Sequence, residues 1–198
     1  MVHPETDVKM KIVLAAKKLF AKHGYDATSV RQICEEAGAN VALVSYYFGG
    51  KESVYFEIFN QYFPFDRLET YNKIDDPVYG IRMMIENVIE LRTRDPELIS
   101  LLQMEIIMMT PRVDKMREII SPFWAKVRDL LEKGRQAGLF HFESLDSTLL
   151  FVLGATFFYK QREFYEPLLT EPKPDTKTIT YQTTAFVLRA LCYETKTR

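Results

Sequence analysis

The stretch Asn40–Val54, NVALVSYYFGGKESV, concentrates residue types that can do chemistry. Tyr46, Tyr47 and Phe48 precede a glycine pair, and Lys51 follows it. Glycines followed by lysine are one way to cradle a phosphate. A nucleotide-binding loop, however, needs Gly-x-x-x-x-Gly-Lys-[Ser/Thr] behind a strand. Here the first glycine is missing, no strand pattern precedes, and Glu52 follows the lysine. The other arrangement is a turn between two helices that sets Lys51 at a helix N-terminus. Amide N–H groups and lysine charge together suit a nucleic-acid phosphate there. The remaining candidates do not assemble. His3, His23 and His141 fit no metal spacing, and no nucleophile elbow is present. Cys34 and Cys192 match no metal or redox pattern, so each is expected to be a small buried hydrophobe in a reducing compartment. No metal, cofactor or enzymatic activity is expected.

The elements that position this stretch are helical throughout. Val8, Ile12, Ala15, Ala16, Leu19 and Phe20 recur at helical spacing and stop at Gly24. Ser29 with Gln32 makes a capping box for a second helix, buried through Val30, Ile33, Cys34 and Ala37 and ended by Gly38. Asn40 is a good N-cap for a third helix running to about Tyr47. Gly49-Gly50 breaks it, and Lys51 opens a fourth with Val54, Tyr55, Ile58, Phe59 and Tyr62 along one side. Pro64 should bend or stop that helix. Further helices are expected at about 77–94, 96–109, 112–138, 144–168 and 175–195, with Ser121-Pro122 kinking or restarting the third of these. No strand pattern, repeat or low-complexity tract interrupts them. The expected fold is all-α with about nine helices: an N-terminal three-helix domain over 1–50 and a larger body over 51–198.

Composition sets limits on function. The chain has 198 residues, 47% apolar and 27% charged, enough for a proper core. The first ten residues have no apolar h-region, and the longest apolar run, Leu149–Tyr159, is too short to span a bilayer. A cytoplasmic protein without membrane partners is expected. Net charge is −1, and residues 1–63 carry seven Lys/Arg against seven Asp/Glu, which is not the strongly basic footprint usual for nucleic-acid binding. Five lysines nevertheless cluster within Lys9–Lys22.

Two short helices around Ala37-Gly38-Ala39 have the form of a helix-turn-helix, whose second helix enters the DNA major groove. Val44 and Phe48 hold that helix down, leaving Ala42, Ser45 and Tyr46 free. AGANVALVSYYFGGKESV, preceded by LFAKHGYDATSVRQICEEAG, resembles the signature of the TetR family of bacterial transcriptional regulators. The resemblance is tight over roughly the first 60 residues and extends beyond them only in helical layout. It implies a double-stranded DNA operator as partner. It places contacts on Thr28, Ser29 and Arg31, on Asn40, Val41, Ala42, Leu43, Ser45, Tyr46 and Tyr47, and on Lys51. Arg31 suits bidentate reading of a guanine. The family usually has Tyr where this chain has Ser45, which shortens one contact. Val41, Ala42 and Leu43 shift readout toward thymine methyls.

In that family the C-terminal body binds a small molecule and dimerises. Met83, Met84, Met104, Met108, Trp124, Phe151 and Tyr159 supply an adaptable apolar wall for a small apolar effector, with Glu105 as its polar anchor. The nearly all-apolar LLFVLGATFFY needs burial on two sides. Leu149, Val152, Gly154, Ala155 and Phe158, with Phe186 and Leu188 of the last helix, are therefore expected at a homodimer interface. The function expected is a ligand-responsive transcriptional regulator, a repressor released from a near-palindromic operator. The alternative is an architectural DNA-binding protein of the same fold without a ligand.

Overall fold

The computed structural model describes residues 4–63 and 70–193, the first four by backbone alone. Pro64 lies outside the described residues. The described elements are α1 (Pro4–His23), α2 (Val30–Ala37), α3 (Val41–Phe48), α4 (Lys51–Tyr62), α5 (Pro77–Arg94), α6 (Pro96–Met108), α7 (Val113–Gln136) and α8 (Leu145–Phe157). A 3-10 helix (Phe158–Leu168) and α9 (Thr176–Ala190) complete them. No strand occurs among the described residues, and no described helix is long and apolar enough to cross a membrane.

Local chemistry sets most boundaries. Gly24, at φ +81°, closes α1 by donating its N–H to the Phe20 carbonyl at 2.8 Å. Asp95 caps α6 by accepting from the Leu98 N–H at 3.1 Å, with Pro96 as the first helical residue. Ser144 and Asp175 cap α8 and α9 in the same way. Pro122 lies inside α7 without restarting it. The carbonyl it orphans is that of Glu118, an exposed residue, where water can serve it. The helix from Ser144 does not stay α to Leu168 but tightens to 3-10 after Phe157, over a stretch that is half-buried only at residues 159–162 and exposed from Glu163 on.

The chain packs as two units. The first comprises residues 1–65 and 95–119, the second 66–94 and 120–198. Within the first unit α1 packs on α4 and α6 as well as on α2. The first core contains Ile12, Val13, Ala16, Phe20, Ile33, Val44, Val54, Tyr55, Ile58 and Phe59, with Leu98 and Leu102 of α6. Cys34 joins it, whereas Cys192 is exposed in the turn after α9 at φ +53°, contrary to expectation.

The second core joins Ile81, Met84, Ile85 and Ile89 of α5, Val127, Leu130 and Leu131 of α7, Phe140, Val152 of α8, and Val187 and Leu188 of α9. Gly134 in the last turn of α7 lets the Phe140 ring lie against the backbone. A Cβ built there would come within 2.0 Å of Phe140 Cδ2. Gly134→Ala should accordingly cost about 1–3 kcal/mol of stability, despite alanine's better helix propensity. Urea denaturation would measure this; a neutral or stabilising effect would show that Phe140 can move aside.

Candidate nucleic-acid interface

The helix-turn-helix is built from caps. Ser29 Oγ accepts from the Gln32 N–H at 3.2 Å, and Gln32 Oε1 accepts from the Ser29 N–H at 2.8 Å. Ile33 and Cys34 are the buried residues of α2. Gly38 ends the helix at φ +62°, ψ 36°, its N–H reaching the Cys34 and Glu35 carbonyls. A side chain is strained in that conformation, so glycine makes the turn. Asn40 Oδ1 then accepts from the Ala42 N–H at 2.9 Å and opens α3.

In α3 only Val44 is buried. Leu43, Tyr47 and Phe48 are half-buried, and Val41, Ala42, Ser45 and Tyr46 are exposed, Tyr46 at 77%. The Tyr46 and Tyr47 rings meet edge to face at 5.0 Å. Arg31 is exposed and held by Glu35 at 2.9 Å, an i,i+4 pair that an incoming base or phosphate can outcompete. Asn40, Val41, Ala42, Leu43, Ser45, Tyr46 and Tyr47 lie on α3 or at its cap, and Ser29 and Arg31 at the start of α2; all but Leu43 and Tyr47 are exposed.

Thr28 and Lys51 are built differently from expectation. Thr28 is 2% exposed, and its hydroxyl donates to the Gly24 carbonyl at 2.8 Å, so the side chain braces the turn and is not offered to a partner. The Lys51 ammonium donates to the Tyr25 and Thr28 carbonyls, each at 2.8 Å, and stands 4.1 Å from the centre of the Tyr25 ring. Two of its three donors are engaged inside the protein. It clamps the α1–α2 turn to the start of α4. Lys17, one of the five clustered lysines, is likewise internal. It pairs with Asp95 at 2.6 Å and lies 4.0 Å from the centre of the Tyr62 ring.

Tyr25 has a second cation on it. The Arg112 guanidinium lies 3.8 Å from its ring centre. Arg112 Nε donates to Glu105 Oε1 at 3.1 Å, and the Thr110 hydroxyl and the Tyr55 phenol also hydrogen-bond this carboxylate. Glu105 is 2% exposed. Burial, with Glu105 adding, pushes the Tyr55 phenol well above its usual range, so it remains a donor. Glu105 is therefore the centre of a latch within the first unit. The α1–α2 turn, the start of α4 and the end of α6 converge on one tyrosine ring. Sequence reading missed Arg112 and the roles of Tyr25 and Asp95, because these pairings join residues far apart in the chain.

The expected effector residues do not come together. Met104, Glu105 and Met108 line a cavity of about 270 Å³ in the first unit, with His23, Tyr25, Tyr55 and Arg112. Met84 is buried in the second core, and Met83, Trp124 and Tyr159 pack on it. Phe151, expected in a pocket wall, is 75% exposed. Among the expected interface residues Phe158, Phe186 and Gly154 are exposed, and Leu149 and Ala155 half-buried. Val152 and Leu188 are instead buried in their own unit's core, because the outward face of α8 carries Leu150, Phe151 and Gly154.

Lys51→Ala should lower the stability of the DNA-free protein by about 2 kcal/mol, since charge-assisted bonds to two carbonyls are lost. Arg112→Met should cost about 3–5 kcal/mol by leaving Glu105 buried without its cation. Both are read by denaturation without DNA. A phosphate-binding lysine would leave that stability unchanged.

Residues 12–58 match the family described as bacterial regulatory proteins, tetR family, and residues 77–182 match the tetracyclin repressor-like C-terminal domain. The HTH-type transcriptional repressor NicS of Pseudomonas putida is 25% identical over 155 residues, spanning 75% of this chain and 73% of that protein. The crystal structure of HlyIIR, a hemolysin II transcriptional regulator, aligns at a TM-score of 0.74 and 26% identity, covering 96% of this chain and 99% of that one. FadR from Bacillus subtilis, solved in complex with stearoyl-CoA, shares the fold at a TM-score of 0.72 and 18% identity, covering 90% and 97%. With both its N-terminal helices and its body matched, the chain belongs to the tetR family and is a transcriptional regulator.

Proposed function

We propose that the protein is a homodimeric repressor whose α3 enters the major groove of a near-palindromic operator, and that a mostly apolar small molecule bound by the second unit releases it. The observation that carries this reading is the surface of α3. A helix capped at both ends and pinned through Val44 presents Val41, Ala42, Ser45 and Tyr46 outward, and Arg31 of α2 is exposed as well. Small and hydroxyl-bearing side chains there allow close approach to base edges and thymine methyls. The repressor named NicS and the stearoyl-CoA complex of FadR support the sign of regulation and an apolar effector.

Dimerisation is supported by an uncovered apolar face in the second unit. Leu150, Phe151 and Phe158 stand out from α8 and the helix that follows it, and Tyr181 and Phe186 from α9, which packs beside α8. No neighbouring atom lies within 4 Å of a Cβ built on Gly154, so a partner helix can approach closely there. Such a patch on a soluble chain marks an interaction surface. A two-fold dimer places its two α3 helices for successive major grooves, about 34–36 Å apart.

Selection from a random duplex library should enrich a near-palindrome. Arg31→Ala should relax one base pair of it by about 1–3 kcal/mol. Phe151→Glu with Phe186→Glu should yield a monomer that no longer binds the selected site. Absence of any enriched sequence at low salt, or a wild type that sediments as a monomer at micromolar concentration, contradicts the proposal. Enrichment without any ligand that changes operator affinity leaves the architectural reading instead.

A further inference from the structure

Four cations are buried among the described residues, and three have acids of their own. Lys17 pairs with Asp95, Arg112 with Glu105 and Lys126 with Asp129. Arg92, in the last turn of α5, does not. It is 8% exposed. Its Nη1 donates to the Thr156 carbonyl at 2.7 Å, and its guanidinium lies 5.0 Å from the centre of the Tyr159 ring. No described carboxylate pairs with it, and burial pulls its pKa below the usual arginine value with only Tyr159 opposing. Four of its five N–H donors make no hydrogen bond among the described residues.

A buried charge without a counter-ion is costly, and evolution rarely retains one unless something answers it. The same place holds a second open group. The Tyr159 hydroxyl is buried and has no hydrogen-bond partner. Aromatic side chains of the same unit are only partly buried: Trp124, Phe157 and Tyr159 pack half-buried against the core, and Trp124 and Phe157 meet edge to face at 5.5 Å. Tyr159 is also one wall of a cavity of about 480 Å³, lined by Phe158, Tyr165, Leu168 and Leu169 with Arg162 and Glu171.

We propose that Arg92 is a specificity-determining residue for the effector, and that the effector is an apolar monocarboxylate. Its carboxylate pairs with the free edge of the Arg92 guanidinium and accepts from the Tyr159 hydroxyl. Its apolar part lies against the aromatic wall of Trp124, Phe157 and Tyr159. This rests on the effector reading above but moves the effector's polar anchor from Glu105 to Arg92. That carboxylate is already answered by Arg112, Thr110 and Tyr55, so it calls for no cation from outside.

The test uses the full-length protein without DNA. Decanoate and 2-naphthoate are compared with 1-decanol and decyltrimethylammonium by thermal melting and by fluorescence of Trp124, the chain's single tryptophan. A carboxylate should raise Tm, change the Trp124 emission and bind about 10- to 100-fold more tightly than the alcohol, the range of one charge-assisted hydrogen-bonded pair. Arg92→Met should remove that preference while leaving alcohol binding in place, and Arg92→Lys should keep part of it. Failure of both carboxylates to bind at millimolar concentration overturns the assignment, as does equal binding of all four probes. Undiminished carboxylate binding by Arg92→Met overturns it too. If Arg92→Met does not fold, the wild-type preference and the partial loss in Arg92→Lys decide. Operator affinity is measured separately. Carboxylate binding that leaves it unchanged sinks the release mechanism and keeps the Arg92 site. Release by the alcohol alone does the reverse.

Discussion

Two cations lie over the ring of Tyr25, Lys51 at 4.1 Å and Arg112 at 3.8 Å from its centre, and the placement of the first unit's helices depends on that arrangement. Each cation is fixed by a second interaction. Lys51 is held by two backbone carbonyls and Arg112 by the buried Glu105. Tyr25 is itself stacked on Phe20 at 5.4 Å and meets Tyr55 edge to face at 5.3 Å. No member of the cluster can shift without disturbing the others, because the interior is close-packed and the ions are partly desolvated. Lys51 begins α4 directly after the Gly49-Gly50 turn that ends α3. The orientation of α3 is thereby tied to the end of α6 through one aromatic side chain.

This arrangement reconciles a neutral chain with a DNA-facing role. Lys17 and Lys51 are engaged inside the unit and Lys9 pairs with Glu57 at 3.5 Å, so much of the lysine charge here is already answered by the protein. Positioning, more than bulk charge, is what this unit supplies. For base readout that is the relevant quantity, because phosphate contacts set register while base edges carry sequence information. On the proposed reading, an effector that moves the end of α6 would act on α3 through Arg112 and Tyr25. A coupling of about 1–3 kcal/mol suffices to change DNA affinity 5- to 150-fold.

What was legible in the sequence was local. The Ser29–Gln32 capping box, the Gly38 turn, the Asn40 cap and the break at Gly49-Gly50 each involve residues within a few positions, and each occurs as read. The family resemblance was legible for the same reason, since it rests on those spacings. Long-range chemistry was not. Lys17 finds Asp95 across 78 residues and Lys51 finds Thr28 across 23, and no periodicity encodes either pairing. On α8 the apolar run concealed which face is inside. Val152 turns inward and Phe151 outward, a distinction that only packing against α5 and α9 decides. Methionines at helical spacing read as one cavity, but Met104 and Met108 are exposed beside a cavity of the first unit while Met83 and Met84 belong to the second core.

The central claim is that the Tyr25 ring, and not only the residues of α3, sets operator affinity. The most direct measurement is the operator affinity of Tyr25→Leu beside that of Tyr25→Phe, at fixed salt and with both proteins verified as folded. Phenylalanine keeps a ring face for both cations, whereas leucine has none. The account predicts near wild-type affinity for Tyr25→Phe and a loss of about ten-fold or more for Tyr25→Leu, the weight of one to two cation–π contacts. Wild-type affinity in folded Tyr25→Leu would contradict it.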